Sequence, residues 1–88
     1  MEKYIITAYC NYINIKYIQC FERDKVCGFW VLKACLSYGK EKIGYALKED
    51  DISDCMFDLL DEMNSANCEN PISCSLLTYE EAEKANEK

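Results

Sequence analysis

The sequence predicts an α+β domain: an antiparallel sheet of about four to five strands packed on one amphipathic helix, with a short C-terminal helix. Two observations carry this. From Tyr4 to Lys48 the chain is rich in β-branched and aromatic residues, and in places apolar and polar positions alternate. Beyond that the period changes, and Ile52, Cys55, Met56, Leu59, Leu60 and Met63 recur at helical spacing. A chain of 88 residues has the length of a single domain.

The elements follow in order. Tyr4 to Cys10 reads as a strand, with Asn11 as a break or bulge. Tyr12 to Glu22 alternates, with Ile13, Ile15, Tyr17, Gln19 and Phe21 on one face and Asn14, Lys16 and Glu22 on the other. Arg23–Lys25 reads as a polar connection. Val26 to Leu36 is apolar on both faces, as in a central strand covered on one side by a helix. Ser37–Lys42 is a turn in which Gly39 can take positive φ, and Ile43 to Lys48 completes the meander.

The helix is expected from about 51 to 66, with Asp50 or Asp51 as its N-cap and an end near Ser65–Asn67. Pro71 cannot continue it. Ile72 to Leu77 is a short apolar run with strand character. Thr78 and Glu81 match a capping box, with Leu77 and Ala82 placed as a hydrophobic staple. The second helix then runs from Tyr79 to about Asn86, and residues from about 84 to 88 are a candidate disordered tail.

Composition narrows the function. No run approaches the roughly 18 apolar residues of a membrane span, so no membrane association is expected. The N-terminal stretch lacks the continuous apolar segment and small-residue cleavage site of a signal peptide, and the expected location is cytoplasmic. Seven cysteines stand at 10, 20, 27, 35, 55, 68 and 74, and the chain has no histidine. None is spaced as a zinc knuckle, so no metal is expected. In a reducing compartment these thiols are expected to behave as small buried hydrophobes.

No catalytic or cofactor motif is present. The segment around Gly39, Lys40 and Gly44 lacks the spacing of a phosphate loop, and Glu49–Asp54 lacks that of a calcium loop. Asp54 and Asp58 are four apart, but on a water-facing side they make poor general acids. No base stands ready to activate a nucleophile. The chain is expected not to be an enzyme and to need no cofactor.

The formal net charge of −6 is unevenly divided. Residues 1–48 carry eight basic and four acidic side chains, a balance of +4. Residues 49–88 carry two lysines and twelve acids, a balance of −10. Asp51, Asp54, Asp58, Asp61 and Glu62 fall along one side of the predicted helix, and Glu49, Asp50 and Glu69 extend the stripe. At 1.5 Å per residue, neighbours four apart lie about 6 Å apart along the axis, near the spacing of successive phosphates on one nucleic-acid strand. No Lys or Arg occurs from Glu49 to Ala82, so no i,i+4 pair relieves the repulsion. Such acid either solubilises a surface helix or meets a basic partner.

Seven tyrosines and one tryptophan form the second surface feature. Tyr4, Tyr9, Tyr12, Tyr17, Tyr38 and Tyr45 fall in or beside the sheet, where core and cross-strand packing is the ordinary use. Tyr12 and Tyr38 are the anchors expected to join the acidic residues in partner binding. Lys16, Lys33, Lys40 and Lys42 are interleaved with tyrosines, which leaves single-stranded nucleic acid as a weaker alternative. Direct nucleic-acid binding is disfavoured by the acidic whole and the single arginine.

In size, acidity and lack of catalytic apparatus, the chain resembles the small acidic proteins that phages and mobile elements make to block host nucleases, anti-CRISPR proteins among them. The resemblance is one of profile and rests on no specific residue. It implies a non-enzymatic inhibitor that occupies the basic surface of a larger nucleic-acid-handling protein. The alternative is a homo-oligomer, such as a homodimer, assembled through the edge of a strand beginning at Tyr4.

Overall fold

The computed structural model describes residues 2–67 and 69–87. The fold is α+β, but its strands form two three-stranded sheets in place of one sheet of four to five. Strands β1 (Tyr4–Ile6), β2 (Tyr12–Asn14) and β6 (Ile72–Ser73) make the smaller sheet, in the order β2-β1-β6. Strands β3 (Ile18–Val26), β4 (Phe29–Leu36) and β5 (Gly39–Ala46) make an antiparallel meander. Helix α1 spans Glu49–Met63 and α2 spans Tyr79–Asn86.

Turn chemistry redraws the predicted strand ends. The first strand stops at Ile6 because Thr7 organises a loop: its hydroxyl accepts from the N–H groups of Tyr9 and Asn11 at 3.2 and 3.1 Å. Its own N–H donates to the Asn11 carbonyl at 2.8 Å. The run from Tyr12 to Glu22 is two strands, since a 3₁₀ turn at Ile15–Tyr17 interrupts it, with the Asn14 side chain accepting from the Lys16 N–H. A register shift between Ile18 and Cys20 follows, so the predicted alternation does not hold across Gln19.

Arg23–Lys25 belongs to β3 and is not a connection. Polar residues hold a strand there because each has a cross-element partner. Arg23 donates to the Ser53 hydroxyl at 2.7 Å, Asp24 pairs with Lys33 at 2.9 Å, and Lys25 lies over the Trp30 ring. The reversal falls instead at Cys27–Gly28, inside the apolar run. Both residues have positive φ (52° and 89°), which defines a two-residue type I′ hairpin. The next turn is only Ser37–Tyr38; Gly39 has the expected positive φ but already pairs with Leu36.

The helix ends also move. The N-cap of α1 is Lys48, with no side-chain cap bond, while Asp50 and Asp51 lie inside the first turn, where the macrodipole favours them. The helix stops at Met63. The run from Ile72 to Leu77 pairs as a strand only at its ends: Ile72 and Ser73 beside β1, and Leu77 beside Tyr45. The Thr78–Glu81 capping box is present, and Leu77 packs in the same cluster as the buried Ala82.

The two sheets meet along β5. The Ala8 N–H donates to the Ile43 carbonyl at 2.8 Å, and Tyr45 and Leu77 exchange hydrogen bonds at 2.7 and 2.8 Å. Gly44 lies between these contacts. A Cβ there would fall 2.5 Å from the Cβ of Leu76 and 3.2 Å from that of Ala8, so close backbone approach requires glycine.

One core layer lies beneath α1. Ile52, Cys55 and Leu59 pack on Ile5, Ile13 and Ile72 of the smaller sheet and on Leu32, Ala34 and Ile43 of the larger. On the opposite face of the meander, Phe29, Val31 and Tyr45 pack under α2 against Ala82 and Tyr79. The rings of Phe29, Tyr45 and Tyr79 meet edge to face, with centroids 5.3–5.8 Å apart. Strand β4 is apolar on both faces at its start, where a helix covers each; farther along, Lys33 and Cys35 lie on the α2 side beyond that helix's cluster.

Candidate functional site

Helix α1 divides into three sectors. Each residue turns the helix by about 100°. Ile52, Cys55 and Leu59 point into the core. Asp51, Asp54, Asp58, Asp61 and Glu62 share one flank and are all exposed. Ser53, Phe57 and Leu60 share the other, toward β3, where Arg23 meets Ser53. The apolar stripe is therefore narrower than its spacing suggests: Leu60 is exposed, and Phe57 is 61% exposed.

The acidic flank borders a furrow. Segment 72–77 forms the facing wall. Two hollows of about 480 Å³ and one of about 250 Å³ lie in succession along it. Asp51, Asp54 and Asp58 line the first, while Asp58, Asp61, Glu62 and Glu69 line the second. The third joins them over Cys55, Leu59, Ile72 and Cys74. Asp58 borders all three. The furrow thus has an apolar floor and a rim of carboxylates, with Lys48 beside Asp51 and Asp54 at one end. Its far wall is partly unpaired main chain, because Ser75 and Leu76, between the β6 ladder and the Leu77 bridge, make no backbone–backbone hydrogen bond among the described residues. Burial pushes the Cys55 thiol in the floor up to about 11, against a smaller opposing effect of the Ser75 main-chain N–H.

Charge pairing is as uneven as charge content. Among the described residues the ion pairs are Lys16–Glu2, Lys33–Asp24 and Lys40–Glu22, at 2.7–2.9 Å, all in the first half of the chain. Hydrogen bonds from Lys16 and Lys33 hold the carboxyls of Glu2 and Asp24 below their ordinary values. All twelve acids from Glu49 onward are exposed, and none is in an ion pair among the described residues. The Thr78 main-chain N–H of the capping box holds the Glu81 carboxyl below its ordinary value.

The predicted anchors stand apart from the furrow. Tyr12 and Tyr38 are 61% and 72% exposed, but neither lines any of the three hollows. Tyr12 stacks edge-on with Tyr4, and Tyr38 with Tyr17. Tyr45 is buried and Tyr79 half-buried. The Lys/Tyr face has lost free cations, since Lys16, Lys33 and Lys40 are all paired with carboxylates.

The expectation of buried thiols does not hold. Of the described cysteines only Cys55 is buried; Cys35 and Cys74 are intermediate, and Cys10, Cys20 and Cys27 are exposed. Hairpin turns and loop positions account for Cys10 and Cys27, both at positive φ. Among the described residues no group of three or more His, Cys, Asp or Glu is placed to hold a metal ion. No described helix is long and apolar enough to cross a membrane. No family model, curated protein or solved structure matches the chain.

Sequence reasoning missed Phe57 and the furrow. An aromatic one position outside the helical stripe was a readable sign of the first. The second depends on where segment 72–77 returns, which no local pattern encodes.

Proposed function

We propose that the protein is a non-enzymatic binding module whose acidic α1 flank engages the basic surface of a larger, nucleic-acid-handling protein. The observation that carries this reading is the row of five exposed carboxylates, Asp51 to Glu62, none of them in an ion pair among the described residues. They border hollows large enough to admit lysine or arginine side chains. Occupancy then inhibits: the partner's cations are neutralised before a phosphate backbone reaches them. The reading places the protein in the cytoplasm, without cofactor, as phage and mobile-element inhibitors of the anti-CRISPR kind are.

The test is capture of partners at low and high salt by the intact protein and by the combined Asp54→Asn, Asp58→Asn and Asp61→Asn variant, with circular dichroism to verify folding. Capture by the parent should weaken steeply with salt, and the variant should bind severalfold less. Equal capture by both proteins removes α1 as the contact.

A second reading is a homodimer built on a sheet edge. Strand β1 cannot supply that edge, because β2 and β6 flank it. The nine-residue β3 lies at the margin of the meander, and it favours this reading. A monomeric mass in solution at micromolar concentration removes it.

A further inference from the structure

Cys20 and Cys35 are register partners across β3 and β4. Directly opposed residues of an antiparallel pair share a face and have Cα atoms about 4.5–5.5 Å apart. A disulfide needs about 4.4–6.8 Å. The pairing therefore falls within the Cα spacing a disulfide requires. Both side chains lie on the α2 side of the meander, on the part of that face beyond the helix's cluster, among Glu22, Lys33 and Lys40. There the Cys35 thiol donates to the Glu22 carboxylate at 3.8 Å, and Lys40 pairs with Glu22 at 2.7 Å. The neighbouring Cys20 thiol is the largest influence on the Cys35 thiol and raises it above its ordinary value. Cys20 is exposed and Cys35 half-buried, so an oxidant in solution meets Cys20 first.

We propose that Cys20 and Cys35 form a cross-strand dithiol that low-molecular-mass disulfides oxidise to an intramolecular disulfide, fastening the marginal strand β3 to the central strand β4. The Cys20 thiolate attacks one sulfur of the oxidant, forming a mixed disulfide and releasing one small thiolate. The Cys35 thiolate then attacks the Cys20 sulfur and releases the second. Two electrons pass from the dithiol to the oxidant, and the two thiol protons end on the two released thiolates. Cys55 does not compete as a nucleophile, since its thiol is buried and pushed up to about 11.

The sequence makes the product easy to read. Trypsin cleaves at Lys16, Arg23, Lys33 and Lys40, so Cys20 falls in Tyr17–Arg23 and Cys35 in Ala34–Lys40, each with one cysteine. The folded protein is incubated with glutathione disulfide, alkylated and digested. The expected product is these two peptides joined, with no lasting glutathione on either. Its formation should raise the denaturant midpoint, and dithiothreitol should reverse both effects. In Cys35→Ser the reaction should stop with glutathione held on Cys20. A lasting glutathione adduct on Cys20 of the parent, a linkage through other cysteines instead, or an unmodified Cys20 in Cys35→Ser overturns the proposal. If that variant does not fold, the peptide map of the parent decides alone.

Discussion

The Tyr9 hydroxyl accepts a hydrogen bond from the main-chain N–H of Tyr79 at 2.8 Å. Tyr79 is the first residue of α2, and its N–H has no partner within the helix. A side chain from the β1–β2 loop therefore completes the cap that the Thr78–Glu81 box begins. Tyr9→Phe should cost about 1 kcal/mol, the net worth of one such bond. The urea midpoint measures it, and the Tyr79 amide should exchange with solvent faster than in the parent.

Gly44 should be the least replaceable glycine. Alanine there drives a methyl to 2.5 Å from the Cβ of Leu76, a backbone-anchored atom that cannot swing away. The two sheets must separate to admit it. Gly44→Ala should cost about 2 kcal/mol, as overpacked sites do. A variant as stable as the parent would show that the junction is looser than described.

Cys27 occupies the first position of a type I′ turn at a φ of 52°, where asparagine is favoured. Cys27→Asn relieves strain at an exposed site. It should raise stability by about 0.5 kcal/mol, within the cost of a left-handed non-glycine residue. Thermal denaturation of the two proteins side by side tests this, and a lower midpoint in the variant would contradict it.

The acidic flank should be a stability liability as well as a binding surface. Asp54–Asp58 and Asp58–Glu62 are like-charged i,i+4 pairs, each destabilising by roughly 0.2–0.5 kcal/mol. Replacing Asp54, Asp58 and Asp61 with Asn should leave the fold intact and slightly stabilise it. The gain should shrink in 1 M salt, where the screening length is about 3 Å. A gain independent of salt would point to helix propensity instead of charge.

Alkaline pH should weaken the fold through Cys55. Burial raises its thiol from an ordinary 9.0 to about 11. The folded state thus favours the neutral thiol. That contribution is complete below pH 9.0 and is lost as pH rises through about 11. Denaturant midpoints of the parent and of Cys55→Ala across this range provide the measurement. The variant starts lower, and its slope should be shallower, because the remaining groups titrate in both proteins.

Period and cap chemistry made the helices legible. Ile52, Cys55 and Leu59 announced α1, and Thr78 with Glu81 announced α2 almost to the residue. The strands were harder, because their limits are set by partners distant in sequence. Arg23–Lys25 looked like a loop until Lys33, Ser53 and Trp30 supplied contacts. Cys27–Gly28 lacks the Asn-Gly or Asp-Gly pair that usually betrays a tight hairpin. The acidic residues of the candidate site were readable one by one. Their furrow was not, since segment 72–77 makes its far wall and only the pairing of Ile72 and Ser73 with β1 and of Leu77 with Tyr45 places it there.

The parallel pairing of Ile5 with Ile72 joins two segments far apart in sequence. Residues 18–63, by contrast, run through consecutive hairpins into α1. Local contacts form early, while closing so long a loop carries an entropic cost and is late. Ribosomal synthesis delivers the meander and α1 before the segment that clasps β1 has emerged. The acidic furrow should therefore be the last part of the molecule to assemble, and the first to come apart when the native state opens.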